Sequence, residues 1–221
     1  MNGFQFHLSG ARLIALPSGA LWWRDDGLLC VSDLHLGKSD RLARGGRGFL
    51  PPYETRDTLA RLEAEILATG AKTVVCLGDS FDDLTAATAL NEADRLLLIR
   101  LQAGRRWIWI EGNHDPGPVD LGGEHLAEFT LAPLTFRHIA LPAARAEISG
   151  HYHPKAKLSA RGRSLSRACF LADDQRLILP AFGTYTGGLQ SNHAELCTLM
   201  RPDARAILLA DPPVAIPMPR G

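Results

Sequence analysis

Apolar residues along this chain fall into two kinds of pattern. Short unbroken runs at Leu28–Val31, Thr73–Leu77 and Arg106–Ile110 predict strands covered on both faces. Between them, Leu59, Leu62 and Ile66 recur at helical spacing over 54–68, and Leu90, Leu97 and Leu101 do so over 84–102. Gly70 and Gly104 supply the stops. Strand and helix in alternation describe an α/β sheet with crossover connections. Upstream, runs at 12–15 and 20–24 flank Pro17-Ser18-Gly19 and predict a hairpin leading into the first strand. Downstream of Phe129 the helical spacing disappears. Strand-like runs take over at 134–139, 146–149, 168–172, 176–179, 194–200 and 206–209. Residues 37–48 and 155–167 read as loops, and the Pro-rich stretch 211–221 as a loose tail behind a single domain of 1–210.

Composition narrows the class. The 46% apolar and 22% charged residues suit a globular protein, with neither an export signal nor an apolar run of membrane-spanning length. A cytoplasmic location with no membrane contact is the expectation. Four cysteines are scattered without a C-x-x-C pair, so neither a zinc knuckle nor a disulfide framework is indicated. Lys and Arg balance Asp and Glu at 24 each, which excludes a uniformly basic nucleic-acid binder but leaves room for local clusters. Two clusters exist: Lys38, Arg41, Arg44 and Arg47 against Asp40 alone, and Lys155, Lys157, Arg161, Arg163 and Arg167 with no acid between them.

The candidate chemistry sits where the apolar runs stop. The first ends in Asp33-Leu34-His35, where strand alternation would turn the carboxylate and the imidazole to one side. The second ends in Gly78-Asp79 and the third in Glu111-Gly112-Asn113-His114-Asp115. Taken singly, Asp79 or Asn113 reads as a turn or helix cap; three successive strand ends of this kind make that explanation poor. Later, His138 lies in one strand-like run and Gly150-His151-Tyr152-His153 follows another. Asp33, His35, Asp79, Asn113, His138, His151 and His153 together offer two carboxylates, an amide oxygen and four imidazoles, enough for two metal ions sharing a carboxylate. A mixed oxygen and nitrogen set without thiolate suits manganese, iron or zinc better than magnesium or calcium.

In this order, the motifs resemble the signature of the calcineurin-like metallophosphoesterases. A narrower resemblance, to bacterial ligase-associated DNA damage response endonucleases (PdeM-type phosphodiesterases), lies in Ser32-Asp33-Leu34-His35-Leu36-Gly37-Lys38, Gly78-Asp79-Ser80-Phe81 and the segment 179–188. Asp82 departs from the narrower pattern, and His125 competes with His138 for its place. The resemblance implies an αββα sandwich, two mixed sheets flanked by helices. It implies a dimetal phosphodiesterase acting as a DNA endonuclease, with a phosphoesterase for small substrates as the alternative. Asp33, His35 and His153 would hold one divalent ion, manganese first with iron or zinc behind it, and Asn113, His138 and His151 the other. Asp79 would bridge them. His114 would face the leaving oxygen, with Asp115 holding its ring. Lys38, Arg41, Arg44, Arg47, Lys155 and Lys157 would carry DNA phosphates. A role in DNA repair beside a DNA ligase and a helicase, and a homodimer, belong to the same implication.

Overall fold

In a computed structural model, which describes residues 2–46, 50–117, 120–160 and 163–220, the three apolar runs become neighbouring parallel strands. Strands β1 (Phe4–Leu8), β2 (Ala11–Ala15), β3 (Leu21–Trp23), β4 (Leu28–Val31), β5 (Thr73–Leu77), β6 (Arg106–Ile110) and β7 (Glu124–Leu126) form one sheet in chain order. Its first three pairings are antiparallel and its last three parallel. The alternation along its centre is strict. Leu29, Val31, Val74, Cys76, Trp107 and Trp109 face the helices, while Leu28, Cys30, Val75, Leu77, Ile108 and Ile110 face the second sheet. Both faces are therefore apolar, which is why these strands read as unbroken runs.

The second sheet contains β8 (Glu128–Leu131), β9 (Leu134–Arg137), β10 (Glu147–Ser149), β11 (Lys155–Ala160), β12 (Arg163–Ala172), β13 (Arg176–Ile178), β14 (Arg205–Leu208) and β15 (Val214–Pro217). Its order is β15-β14-β12-β13-β10-β9-β8, with β11 paired to β12. Phe129, Leu134, Phe136, Ile148, Phe170, Leu177 and Ile207 close the layer between the sheets. Helices α1 (Lys38–Arg44), α2 (Glu54–Thr69), α3 (Leu84–Thr88) and α4 (Glu92–Gln102) precede this sheet in the chain, and α2 and α4 cover the first one; α5 (Ala194–Leu199) packs on the outer face of the second. Two mixed sheets flanked by helices is the αββα sandwich. No helix among the described residues is long and apolar enough to cross a membrane.

Several local expectations are corrected. The segment after His35 is not all loop, since 38–44 form α1. The helix expected over 84–102 is two: Asn91 accepts the Asp94 N–H at 3.0 Å, and that cap starts α4 afresh. The stretch 194–200 expected as a strand instead forms α5 (Ala194–Leu199), with Leu196 on its buried side. The basic stretch from 155 is a hairpin in which Ala156 and Leu158 pack inward. Residues 211–221 are not a loose tail: β15 pairs antiparallel with β14, Met218 is buried, and Arg220 donates to the carbonyls of Cys197 and Met200 at 3.2 and 2.9 Å. Strands β1, β7 and β8 were not expected; in β1 the side chains of Phe4, Phe6 and Leu8 alternate into the layer between the sheets.

Candidate metal centre

Five parallel strands, three from the first sheet and two from the second, deliver the candidate ligands at their C-terminal ends. Asp33 and His35 follow β4, Asp79 follows β5, Asn113 follows β6, His138 follows β9, and His151 and His153 follow β10. Convergence of Asp33 and His35 does not come from strand alternation, because β4 ends at Val31. Asp33, His35, Asp79, His151 and His153 all have left-handed backbones, with φ of 53°, 46°, 46°, 71° and 45°. Each such residue costs roughly 1–3 kcal/mol, and strain of this kind clusters where geometry serves function. The loops are held in register: Asp33 N donates to Gly78 O at 3.3 Å, His35 N to Asp79 O at 2.9 Å and Asp82 N to Leu36 O at 3.0 Å. From the segment 179–188, Phe182 N and Gly183 N donate to Ser32 O and Asp33 O at 2.8 and 3.1 Å, bracing the first ligand loop. At Gly78 (φ 67°) a Cβ would collide with the His138 ring, and at Gly150 with Ser32 and Asp33, so both glycines are required by close approach.

The ligand atoms face one another in two groups. Asp33, His35 and His153 offer donor atoms within 4.8 Å of each other, and so do Asp79, His138 and His151. Asp33 Oδ2 is taken by Ser32 Oγ–H and by His151 N–H at 3.0 Å, which leaves Oδ1 facing His153 Nε2 at 3.1 Å. In the second group His138 Nδ1 meets the Leu77 carbonyl at 2.9 Å, fixing the proton there. Its Nε2 then faces Asn113 Oδ1 at 3.0 Å, His151 Nδ1 at 3.2 Å and Asp79 Oδ2 at 3.4 Å. His125 is not part of this gathering; its ring stacks on Trp109, 6.3 Å between centroids.

These residues fit a pair of cations. Asp33 Oδ1, His153 Nε2 and both nitrogens of His35 are buried and make no hydrogen bond, although Asp33 and His153 nearly touch. Two ligands of one ion at about 2.1 Å, set at right angles, lie about 3 Å apart with their lone pairs aimed at the ion rather than at each other. Buried polar atoms left without partners cost about 1–3 kcal/mol each, so a site of this kind is built for a charge it can coordinate.

The electrostatics agree. Burial raises the Asp79 pKa, but the hydrogen bond and charge of His138 and the His114 N–H outweigh it and hold the carboxyl at about 2. Asp33 is also lowered: burial opposes ionisation, and His153, His138 and Ser32 overcome it. Both carboxylates are thus charged at neutral pH. His151 is lowered by burial and by the neighbouring His138, which favours the neutral imidazole a metal needs.

One role drawn from the sequence changes. Asp115 does not hold the His114 ring. Its Oδ2 accepts Ser80 N–H and Phe81 N–H at 2.8 and 3.1 Å, and its Oδ1 accepts Gly112 N–H at 3.1 Å, so it ties the end of β5 to the end of β6. Burial first, and the Asp79 charge among the smaller causes, push its pKa up to about 6. The His114 ring is held instead by Asp82, whose main-chain oxygen lies 2.8 Å from Nδ1. Asp82 is the residue that sequence reasoning missed: it is 1% exposed, and its Oδ1 lies 2.8 Å from His35 Nδ1. His35, Asp82 and His114 form a third close group. Beyond its departure from the narrower pattern, the sequence offered only a carboxylate three positions after Asp79, where a turn residue is equally expected.

The two basic segments also differ from expectation. Arg41 is bonded to Asp82, and Arg44 reaches Asp83 at 2.8 Å. Lys38 opens α1, and Arg47 and Arg161 lie outside the described residues. On the hairpin, Lys155, Lys157 and Arg167 meet no carboxylate within ion-pair distance among the described residues. Lys155 and Arg167 line an open pocket of about 400 Å³ together with His153, Ser166, Gly183, Tyr185 and Thr186.

A model of the calcineurin-like phosphoesterase family matches residues 28–178, which spans every one of the gathered ligands. The chain belongs to the calcineurin-like phosphoesterase family. As a calcineurin-like phosphoesterase it is a metal-dependent hydrolase of phosphoester bonds, and the gathered His and Asp side chains are its candidate metal ligands. Among solved structures it is similar to the nuclease MPE of Pseudomonas putida, with 28% identity over 94% of this chain and 97% of that one and a TM-score of 0.76. A search of curated proteins finds none that matches the chain.

Proposed function

We propose that this calcineurin-like phosphoesterase is a two-metal phosphodiesterase that cuts DNA internally. One observation carries the reading beyond the family: Lys155 and Arg167, which meet no carboxylate among the described residues, line an open pocket of about 400 Å³ together with the candidate ligand His153. A substrate that reaches beyond the reacting phosphate can use such a pocket, and a small one cannot. The similar nuclease from Pseudomonas putida supports the same substrate class.

In this reading Asp33, His35 and His153 hold one ion, Asn113, His138 and His151 the other, and Asp79 joins them. The bound pair supplies the positive charge that neutralises phosphoryl oxygens and acidifies a water. The chain's own residues do the rest. Asp33 and Asp79 stay ionised below neutral pH, the His138 proton is kept on Nδ1 by Leu77, and His114 presents Nε2 to the leaving oxygen with Nδ1 held by Asp82. Manganese is the proposed ion, on the mixed oxygen and nitrogen donors. A homodimer and a repair role beside a DNA ligase and a helicase complete the proposal, supported by motif resemblance alone, with the cytoplasmic location expected from composition.

A second reading, a phosphoesterase for small substrates, draws on the pairing of Arg41 and Arg44 with acids, which shortens the cationic track. Assaying the manganese-loaded protein on a small diester, a monoester and plasmid DNA side by side separates the two. Nicked or linearised plasmid together with diester hydrolysis supports the first; turnover of monoester with intact plasmid supports the second.

A further inference from the structure

Asp82 touches three groups that matter to the centre. Its Oδ1 lies 2.8 Å from His35 Nδ1, its Oδ2 accepts the Nε–H of Arg41, and its main-chain oxygen lies 2.8 Å from His114 Nδ1. The carboxylate is buried, Arg41 is 31% exposed behind it, and the two imidazoles stand edge to face with centroids 5.2 Å apart. The loop carrying Asp82 is fixed to the loop carrying His35, by Asp82 N to Leu36 O at 3.0 Å and by a bridge between Leu36 and Phe81. One residue thus meets the same nitrogen, Nδ1, of two different histidines.

We propose that Asp82 is the positioning residue of the metal centre, keeping the proton on Nδ1 of both His35 and His114 so that Nε2 of each faces the reaction. A carboxylate this close stabilises Nδ1–H over a bare Nδ1 lone pair, even though the ring's N–H direction is not aligned for a hydrogen bond. His35 Nε2, buried and without a hydrogen bond, is then the lone pair left for the ion. Arg41 is the third member: it orders the carboxylate and offsets its charge. With one oxygen on a guanidinium, Asp82 suits an imidazole N–H better than a further divalent cation, whose ligand His35 would already be shared. The inference rests on His35 being a ligand of the first ion.

The test uses the metal-free protein and manganese alone. In protein labelled with 15N-histidine, long-range 15N–1H spectra should show His35 and His114 as Nδ1–H tautomers. In Asp82→Ala, His35 should lose that preference while His114, held by a main-chain oxygen, keeps it. Calorimetric titration with manganese should show one of two sites weakened about 10–100-fold in Asp82→Ala. Asp82→Asn, which restores an acceptor without charge, should recover part of the loss, and Arg41→Met should weaken the same site by a smaller factor. An unchanged His35 tautomer with unchanged affinities in Asp82→Asn and Arg41→Met overturns the proposal. So does a parent that binds three manganese ions and loses one whole equivalent in Asp82→Ala, which would make Asp82 a ligand. His35→Ala, expected to delete the affected site, separates the two levels: retention of both sites there overturns the ligand assignment on which the inference depends.

Discussion

Helix α1 and the β11–β12 hairpin carry comparable positive charge and both leave the metal centre, yet their cations have different partners. On α1, Arg41 and Arg44 turn toward Asp82 and Asp83 in the segment that follows β5, so their charge is met within the molecule. On the hairpin, alternation sends Ala156 and Leu158 into the core and leaves Lys155 and Lys157 on the other face, while Arg167, paired with Ala156 across the ladder, is exposed beyond it. A run of basic residues in a sequence therefore has no fixed meaning. What decides is whether a carboxylate lies within reach in three dimensions, and here that separates a clamp on the catalytic loops from a candidate track for phosphates.

The sharpest way to break this comparison is to neutralise the hairpin. Changing Lys155, Lys157 and Arg167 to Ala together should lower DNA cleavage at moderate salt by about 100-fold and flatten the slope of log affinity against log salt by roughly three units, about one per phosphate contact. Hydrolysis of a small diester should stay within about twofold of the parent. Equal losses on both substrates would mean that the hairpin supports the centre and not the DNA.

Arg41→Met probes the other side and should behave in the opposite manner. Because Arg41 acts through Asp82, hydrolysis of DNA and of the small diester should fall by the same factor, about 10-fold, with no change in the salt slope. A DNA-specific loss in steady-state rates would return α1 to the phosphate track. The smallest effect belongs to Arg44→Ala. Its pair with Asp83 is substantially exposed and worth at most about 1 kcal/mol, so neither substrate should lose more than about twofold and denaturant midpoints should barely move.

The strand ends were legible because burial on both faces makes β4, β5 and β6 unbroken apolar runs, and a polar side chain at the end of such a run stands out. That logic singled out Asp33, His35, Asp79 and Asn113 as candidates, and the His-x-His spacing added His151 and His153; the fold brings their side chains together. The reason given for Asp33 and His35 was still incorrect, since left-handed backbone turns bring them together where alternation was expected, and no periodicity reports φ. Asp82 and Asp83 show the limit more clearly. They are identical neighbours in the sequence, but Asp83 caps α3 by accepting the Ala86 N–H at 2.6 Å, while Asp82 points into the metal centre. Only the backbone direction tells the cap from the carboxylate beside His35. Helix α1 and helix α5, of seven and six residues, are too short for a helical spacing to register.

His138 and His125 offer an intermediate test. His138→Ala should cost metal and activity together, as His151→Ala should, because His138 faces Asn113, Asp79 and His151. His125→Ala should change activity by less than about threefold, since that ring stacks on Trp109 away from the ligand groups. Metal analysis of the three variants checks this.

The most direct measurement is the metal content of the parent and of Asp79→Ala after manganese loading and gel filtration, read together with hydrolysis of a small diester. The account predicts close to two manganese ions per chain in the parent, and in Asp79→Ala fewer than one, with hydrolysis reduced on the order of 10³-fold or more. Two full equivalents retained in Asp79→Ala, or a parent that hydrolyses the diester at full rate with a single ion, would contradict a centre in which Asp79 joins two cations.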